Sequence, residues 1–144
     1  VEFANSEHEL IYDQKNDEWC INTMSYTVGI FNIYYMEEIL EWRDSFKSDL
    51  PIYFNHVYTP EHFSCKVLPQ SVKDKIVEKY KNNNHPDIVS SVKYCTDVDY
   101  DVEKMNMFYS QVKYSDDFRG ESFAKTFPEF YNLLKKYANA PEDF

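Results

Sequence analysis

The sequence predicts an α/β fold: a short parallel sheet of two or three strands, a partial barrel-like βαβα arrangement, followed by a helical C-terminal half. Three observations predict it. Residues 23–30 alternate, with Met24, Tyr26, Val28 and Ile30 interleaved by Thr23, Ser25, Thr27 and Gly29, the period of a strand with one buried face. Strand, helix, strand and helix signals then follow in turn over residues 20–81, as parallel pairing through helical crossovers requires. Beyond the break "NNNHP" at 82–86, helical periodicity takes over.

Taken in order, the N-terminal stretch mixes polar and aromatic residues, with a strand expected near Glu9–Tyr12 and a turn over Gln14–Glu18. After the alternating strand, Asn32 stands where an N-cap belongs, ahead of "IYYMEEILEWRDSF". Its side-chain oxygen is suited to accept an orphan helix N–H, and Glu37 and Glu38 suit the positive first turn. Tyr35, Ile39, Trp42 and Phe46 predict the apolar stripe of that helix, which should stop before Pro51.

Residues 51–58, "PIYFNHVY", form an apolar run with little alternation, predicting a strand covered on both faces. Pro69 can open the next helix. Val72, Ile76 and Tyr80 are expected on its inner face, with Lys73, Asp74, Lys75 and Glu78 solvated. Two further helical faces follow, Val89/Val92 and Val102/Met105/Tyr109/Val112, split near Asp97–Asp101. A loop surrounds Gly120. A short turn to Phe127 then precedes a last helix opened by Pro128, with Leu133, Leu134 and Tyr137 inward. The chain reads as one domain, 1–144, with βα units over about 20–81 and a helical tail over about 86–138.

Composition excludes several classes. Thirteen Tyr, eleven Phe and two Trp supply a large apolar core, since each ring removes much area from water. Only two glycines are present, Gly29 and Gly120, so glycine-rich phosphate loops are ruled out. A net charge of −10 argues against nucleic acid and anionic membrane as partners. No apolar run approaches a bilayer span, and no signal-peptide pattern opens the chain. Cys20, Cys65 and Cys95 are odd in number and widely spaced, which predicts free thiols in a reducing cytoplasm rather than a disulfide framework.

"FNHVYTPEHFSCKVLP", residues 54–69, brings His56, His62 and Cys65 within ten positions. These donors suit zinc, and His62-x-x-Cys65 could chelate. A structural site wants four ligands, however, and the remaining two would have to fold back from His85 and Cys95. Histidines and a thiol that fill or edge the core are the better account, so no metal is assigned. A cysteine nucleophile, Cys65 with His62 or Cys20 with His8, would need an orienting third group. Glu37-Glu38, Asp97/Asp99/Asp101 and Asp116-Asp117 are read as solvated charge, because "DVDYD" lacks the glycine and distal Glu of a calcium loop.

Three segments, "YTVGIFNIYYMEEILEW", "PIYFNHVYTPEHFSCKVLPQSVKDKIVEKY" and "FRGESFAKTFPEF", together resemble the C-terminal part of the twitch-type radical SAM proteins of marine phage and environmental sequences. The shared features are the Asn32 to Trp42 junction and helix, the Asn55 to Lys73 strand exit and LPxxxK helix, and the Arg119 to Phe130 tail. They span residues 23–134. The resemblance implies the last units of a partial (β/α) barrel and the tail that follows. It places Phe54–Pro69 at a strand's C-terminal exit, so that Asn32, Asn55 and His56 are the residues expected nearest a ligand.

The CxxxCxxC motif that holds the family's iron–sulfur cluster is absent, as is the glycine-bearing strand that contacts SAM. The expectation is therefore a radical-SAM-like C-terminal region, not an enzyme by itself and without a cofactor. It would be completed by a missing N-terminal partner region or by a second copy. The chain begins at Val1 rather than Met, as processing, tag removal or a fragment cut from a longer protein would each leave it. Two other classes stand beside this one: a self-contained protein-binding or oligomerisation module with an aromatic face, and a small metal protein or hydrolase using His56, His62 and Cys65.

Overall fold

The computed structural model describes residues 7–13, 18–46, 51–98 and 101–144. Its sheet has the order β1-β2-β3, with β1 at Glu7–Asp13, β2 at Glu18–Val28 and β3 at Ile52–His56. β1 pairs antiparallel with β2, from Glu7↔Ser25 to Asp13↔Glu18, with an irregularity between Glu9 and Leu10. β2 and β3 are parallel, from Met24↔Ile52 to Val28↔His56. The parallel pair and the helical C-terminal half follow the sequence expectation. The Gln14–Glu18 turn falls mostly outside the described residues.

Between β2 and β3 the chain makes a 3₁₀ turn, Ile33–Tyr35, and the helix α1, Met36–Asp44. Two further 3₁₀ turns, Glu61–Phe63 and Cys65–Val67, lead from β3 into α2, Gln70–Tyr80. Then come α3 (Pro86–Thr96), α4 (Val102–Arg119), α5 (Phe123–Thr126) and α6 (Pro128–Tyr137). Local chemistry marks the boundaries. His85 Nδ1 accepts from the Asp87 N–H at the start of α3, and Asp101 Oδ1 from the Lys104 N–H at the start of α4. Gly120 ends α4 with φ at 67°, a conformation that costs glycine little.

The helices pack on one side of β2–β3. Met24, Val28 and Ile52 are buried there, with Val72 and Ile76 of α2, Ile88 of α3, Met105 and Phe108 of α4 and Phe130 and Leu134 of α6. Each such side chain contributes roughly 1.5–3 kcal/mol by leaving water. Two tyrosine hydroxyls serve distant helix starts. The Met36 N–H donates to Tyr80 Oη at 3.0 Å, and the Phe130 N–H to Tyr35 Oη at 3.1 Å. They satisfy orphan donors at the starts of α1 and α6, neither of which has a side-chain cap of its own.

Several expectations are corrected. β3 is covered on one face only: Ile52 is buried while Tyr53 and Asn55 are exposed, because among the described residues no helix overlies the second face. Lys73, expected in solvent, is fully buried and donates to the Val98 carbonyl at 2.5 Å. Its long stem runs through the core to reach that oxygen. On α1 the buried positions are Met36 and Leu40. The predicted stripe of Tyr35, Ile39 and Trp42 is half-buried, and Phe46 is exposed. Val89 is likewise exposed, while Ile88, Ser91 and Cys95 face inward on α3.

Candidate functional site

The exits of β2 and β3 lie side by side, with the Val57 N–H donating to the Val28 carbonyl at 2.9 Å. Gly29 follows immediately and is wedged against the second exit. A Cβ built on it would lie 2.8 Å from the Phe63 carbonyl oxygen and 2.9 Å from Val57 Cγ2. The glycine is thus required by close approach, and the Ile30 N–H donates to that same Phe63 oxygen at 2.9 Å.

Asn32 does not cap the helix ahead of it. Its Oδ1 accepts from the Gly29 N–H at 2.8 Å, and its Nδ2 donates back to the Thr27 carbonyl at 2.9 Å. The side chain therefore closes the turn behind it. A 3₁₀ turn lies between Asn32 and α1, so the helix's orphan donors begin several residues farther on.

Asn55 is the register partner of Thr27, and its Nδ2 donates to Ser25 Oγ. Thr27 thus links Asn32 and Asn55. Strand alternation carries His56 to the opposite face, where its Nε2 meets Ser91 Oγ at 3.0 Å and its ring stacks on Tyr94 at 4.2 Å. Burial, reinforced by the Lys66 ammonium, holds His56 below the ordinary histidine range, with Asp87 opposing. Ser91 is fully buried, so the His56–Ser91 contact joins β3 to α3 and presents no accessible nucleophile.

His62, Cys65 and His56 take separate roles. His62 packs on the Phe63 ring at 4.3 Å. Cys65 is fully buried, and its carbonyl accepts from Cys95 Sγ at 3.3 Å. The contact with Cys65, together with burial, pushes the Cys95 thiol far up, which makes it a poor nucleophile. Among the described residues no three His, Cys, Asp or Glu side chains are grouped as metal ligands. Cys65 and Cys95, both buried, belong to no such group and do not offer an iron–sulfur ligand set. No described helix is long and apolar enough to cross a membrane.

The strand exits open instead onto a cleft of about 560 Å³. Phe31, just beyond β2, and Phe63, at the end of the first 3₁₀ turn after β3, meet Phe123 and Phe127 around it. Phe31 lies 5.5 Å from Phe63, 6.0 Å from Phe123 and 6.3 Å from Phe127, ring centre to ring centre. Gln111, Ser115, Asp116 and Arg119 of α4 supply polar groups at its rim, though Asp116 Oδ2 already accepts from the Phe123 N–H at 2.6 Å. Such a recess suits an apolar or aromatic group.

Asn32 borders a shallower neighbouring groove that shares Thr126 and Phe127 with the cleft, and neither Asn55 nor His56 lines either space. The cleft was missed in the sequence because its four rings come from three separated segments. The one available signal was the Phe123/Phe127 spacing on the tail. Compared with protein-family models, with curated proteins and with solved structures, the chain matches none.

Proposed function

We propose that this chain is the closing section of a radical-SAM-type partial barrel, a C-terminal region without catalytic activity of its own. One observation carries the reading. The β2–α1–β3–α2 unit has its helices on one face of the parallel pair, while the other face presents Ser25, Thr27, Tyr53 and Asn55. Thr27, Tyr53 and Asn55 are exposed. A barrel strand has this division, with helices outside and the strand's other face turned inward, away from them. The aromatic cleft beyond the strands' C-terminal ends is where α/β folds place ligands. β1 departs from the pattern, since it pairs antiparallel with β2, so the barrel-type unit is limited to β2 through α2.

Reading the coding DNA upstream of the Val1 codon tests the proposal. An open frame running back into a CxxxCxxC-bearing segment is expected, and an in-frame stop without one would overturn it. Anaerobic treatment of the purified chain with iron and sulfide should leave no stable cluster absorbance, whereas a stoichiometric cluster would refute inertness.

A further inference from the structure

We infer that the solvent side of α4, with the cleft beside it, docks a second copy of this chain. Met107, Gln111, Tyr114 and Phe118 recur at intervals of four, three and four, which aligns them along one face of the helix. That face is turned away from Met105, Phe108, Tyr109 and Val112, the buried side of α4. Phe118 is 80% exposed, Tyr114 66% and Met107 54%. The Tyr114 and Phe118 rings stack nearly parallel with centres 6.3 Å apart. Aromatic side chains bury roughly 150–250 Å² each, so this seam supplies on the order of 400 Å², about half of one partner's share of a standard interface.

Three features select a copy of the same chain. Projecting rings and an aromatic recess lie next to each other on one helix, since Gln111, Ser115 and Arg119 border the cleft. A twofold contact needs that self-complementarity, with each copy offering both parts. Charge points the same way. The whole chain carries −10, yet on α4 Glu103, Asp116 and Asp117 are matched by Lys104, Lys113 and Arg119. Two copies can therefore approach through this helix without the repulsion that the rest of the surface imposes. Finally, Gln111 sits within the apolar seam, and a side-chain amide near a twofold axis can donate to and accept from its own counterpart. The inference is independent of the barrel reading.

Sedimentation equilibrium over a wide concentration range tests it, using the intact chain and the variants Phe118→Ser, Tyr114→Ser and Gln111→Lys. The expected result is a reversible species of twice 17.3 kDa, with the dissociation constant raised about tenfold or more by each variant. Gln111→Lys brings like charges together at the axis. All three positions are exposed, so circular dichroism and thermal unfolding of the dilute protein should not change. Tyr53→Ser, on the open sheet face, should leave the dimer intact. A monomer at every concentration would overturn the proposal, as would a dimer indifferent to the α4 variants or one dissolved by Tyr53→Ser.

Discussion

The Asn32 side chain folds back on Gly29, taking the glycine's N–H at 2.8 Å and giving its own amide to the Thr27 carbonyl at 2.9 Å. With the Gly29 carbonyl also accepting from the Ile33 N–H at 3.0 Å, the junction between β2 and α1 is tied from both ends. Asn32→Ala should cost about 1–2 kcal/mol for the two lost bonds. Asn32→Asp keeps the acceptor and loses the donor, so it should fall between. Urea unfolding measures both, and a loss below the error of the method would remove the junction's assigned importance.

Gly29→Ala should be more damaging than its single methyl suggests. The obstructing atom is a backbone oxygen, 2.8 Å from the added carbon, and that oxygen is held by the Ile30 N–H. Overpacking of this kind costs about 1–3 kcal/mol. A stability equal to that of the unmodified chain would show that the two strand exits can separate freely.

Tyr80→Phe should destabilise by about 1–2 kcal/mol, because the buried Met36 N–H loses its acceptor. Tyr35→Phe makes the same test at Phe130. The aromatic packing is retained in each, so the unfolding cooperativity should be unchanged while the midpoint falls.

His56 should make the fold weaken toward acid. In the unfolded chain its imidazole titrates at the ordinary value, near 6.5, while in the folded chain burial lowers it. The unfolded state therefore binds more protons as the pH drops through that range. The neutral-imidazole contribution is complete above the ordinary value and is lost as pH falls toward the folded one. His56→Gln should flatten the dependence of the unfolding midpoint on pH as the pH falls through and below about 6.5, and an unaltered slope would assign the acid sensitivity elsewhere.

Cys65 and Cys95 should resist thiol reagents in the folded protein. Both are fully buried, and Cys95 is held in its protonated form. Ellman's reagent followed by peptide mapping should find each labelled on the order of a hundredfold more slowly than in denaturant.

Alternation at Met24–Val28, the apolar spacing of Val72, Ile76 and Tyr80, and the break at 82–86 were enough to recover the parallel pair and the helical half. These signals are local, and tertiary packing agreed with them. On the helices one cause recurs: where several faces of an element carry aromatic or aliphatic residues, periodicity cannot choose among them. Residues 33–46 contain Ile33, Met36 and Leu40 on one line and Tyr35, Ile39 and Trp42 on the next, and only the partner surface decides which is buried. Lys73 was misplaced because composition reports its charge but not the carbonyl at the far end of its stem. Thr27 joins Asn32 to Asn55 through its main chain, which leaves no trace in residue type. Asn55 and His56, adjacent in sequence, were grouped together, whereas the pleat sends them to opposite faces.

The Gly29–Asn32 junction also bears on ancestry. Thr27 enters it only through a carbonyl that any residue possesses, and Phe63 only through another, so neither identity is constrained by these bonds. A Cβ at position 29 forces the backbone around the Phe63 carbonyl to move, and position 32 needs both an acceptor and a donor on a short side chain. Chains that diverge from this one but keep its path should keep this pair while the residues that enter the junction only through their carbonyls change. A sparse Gly-x-x-Asn, set between an alternating strand and an acidic helix start, is the signature by which they should be found.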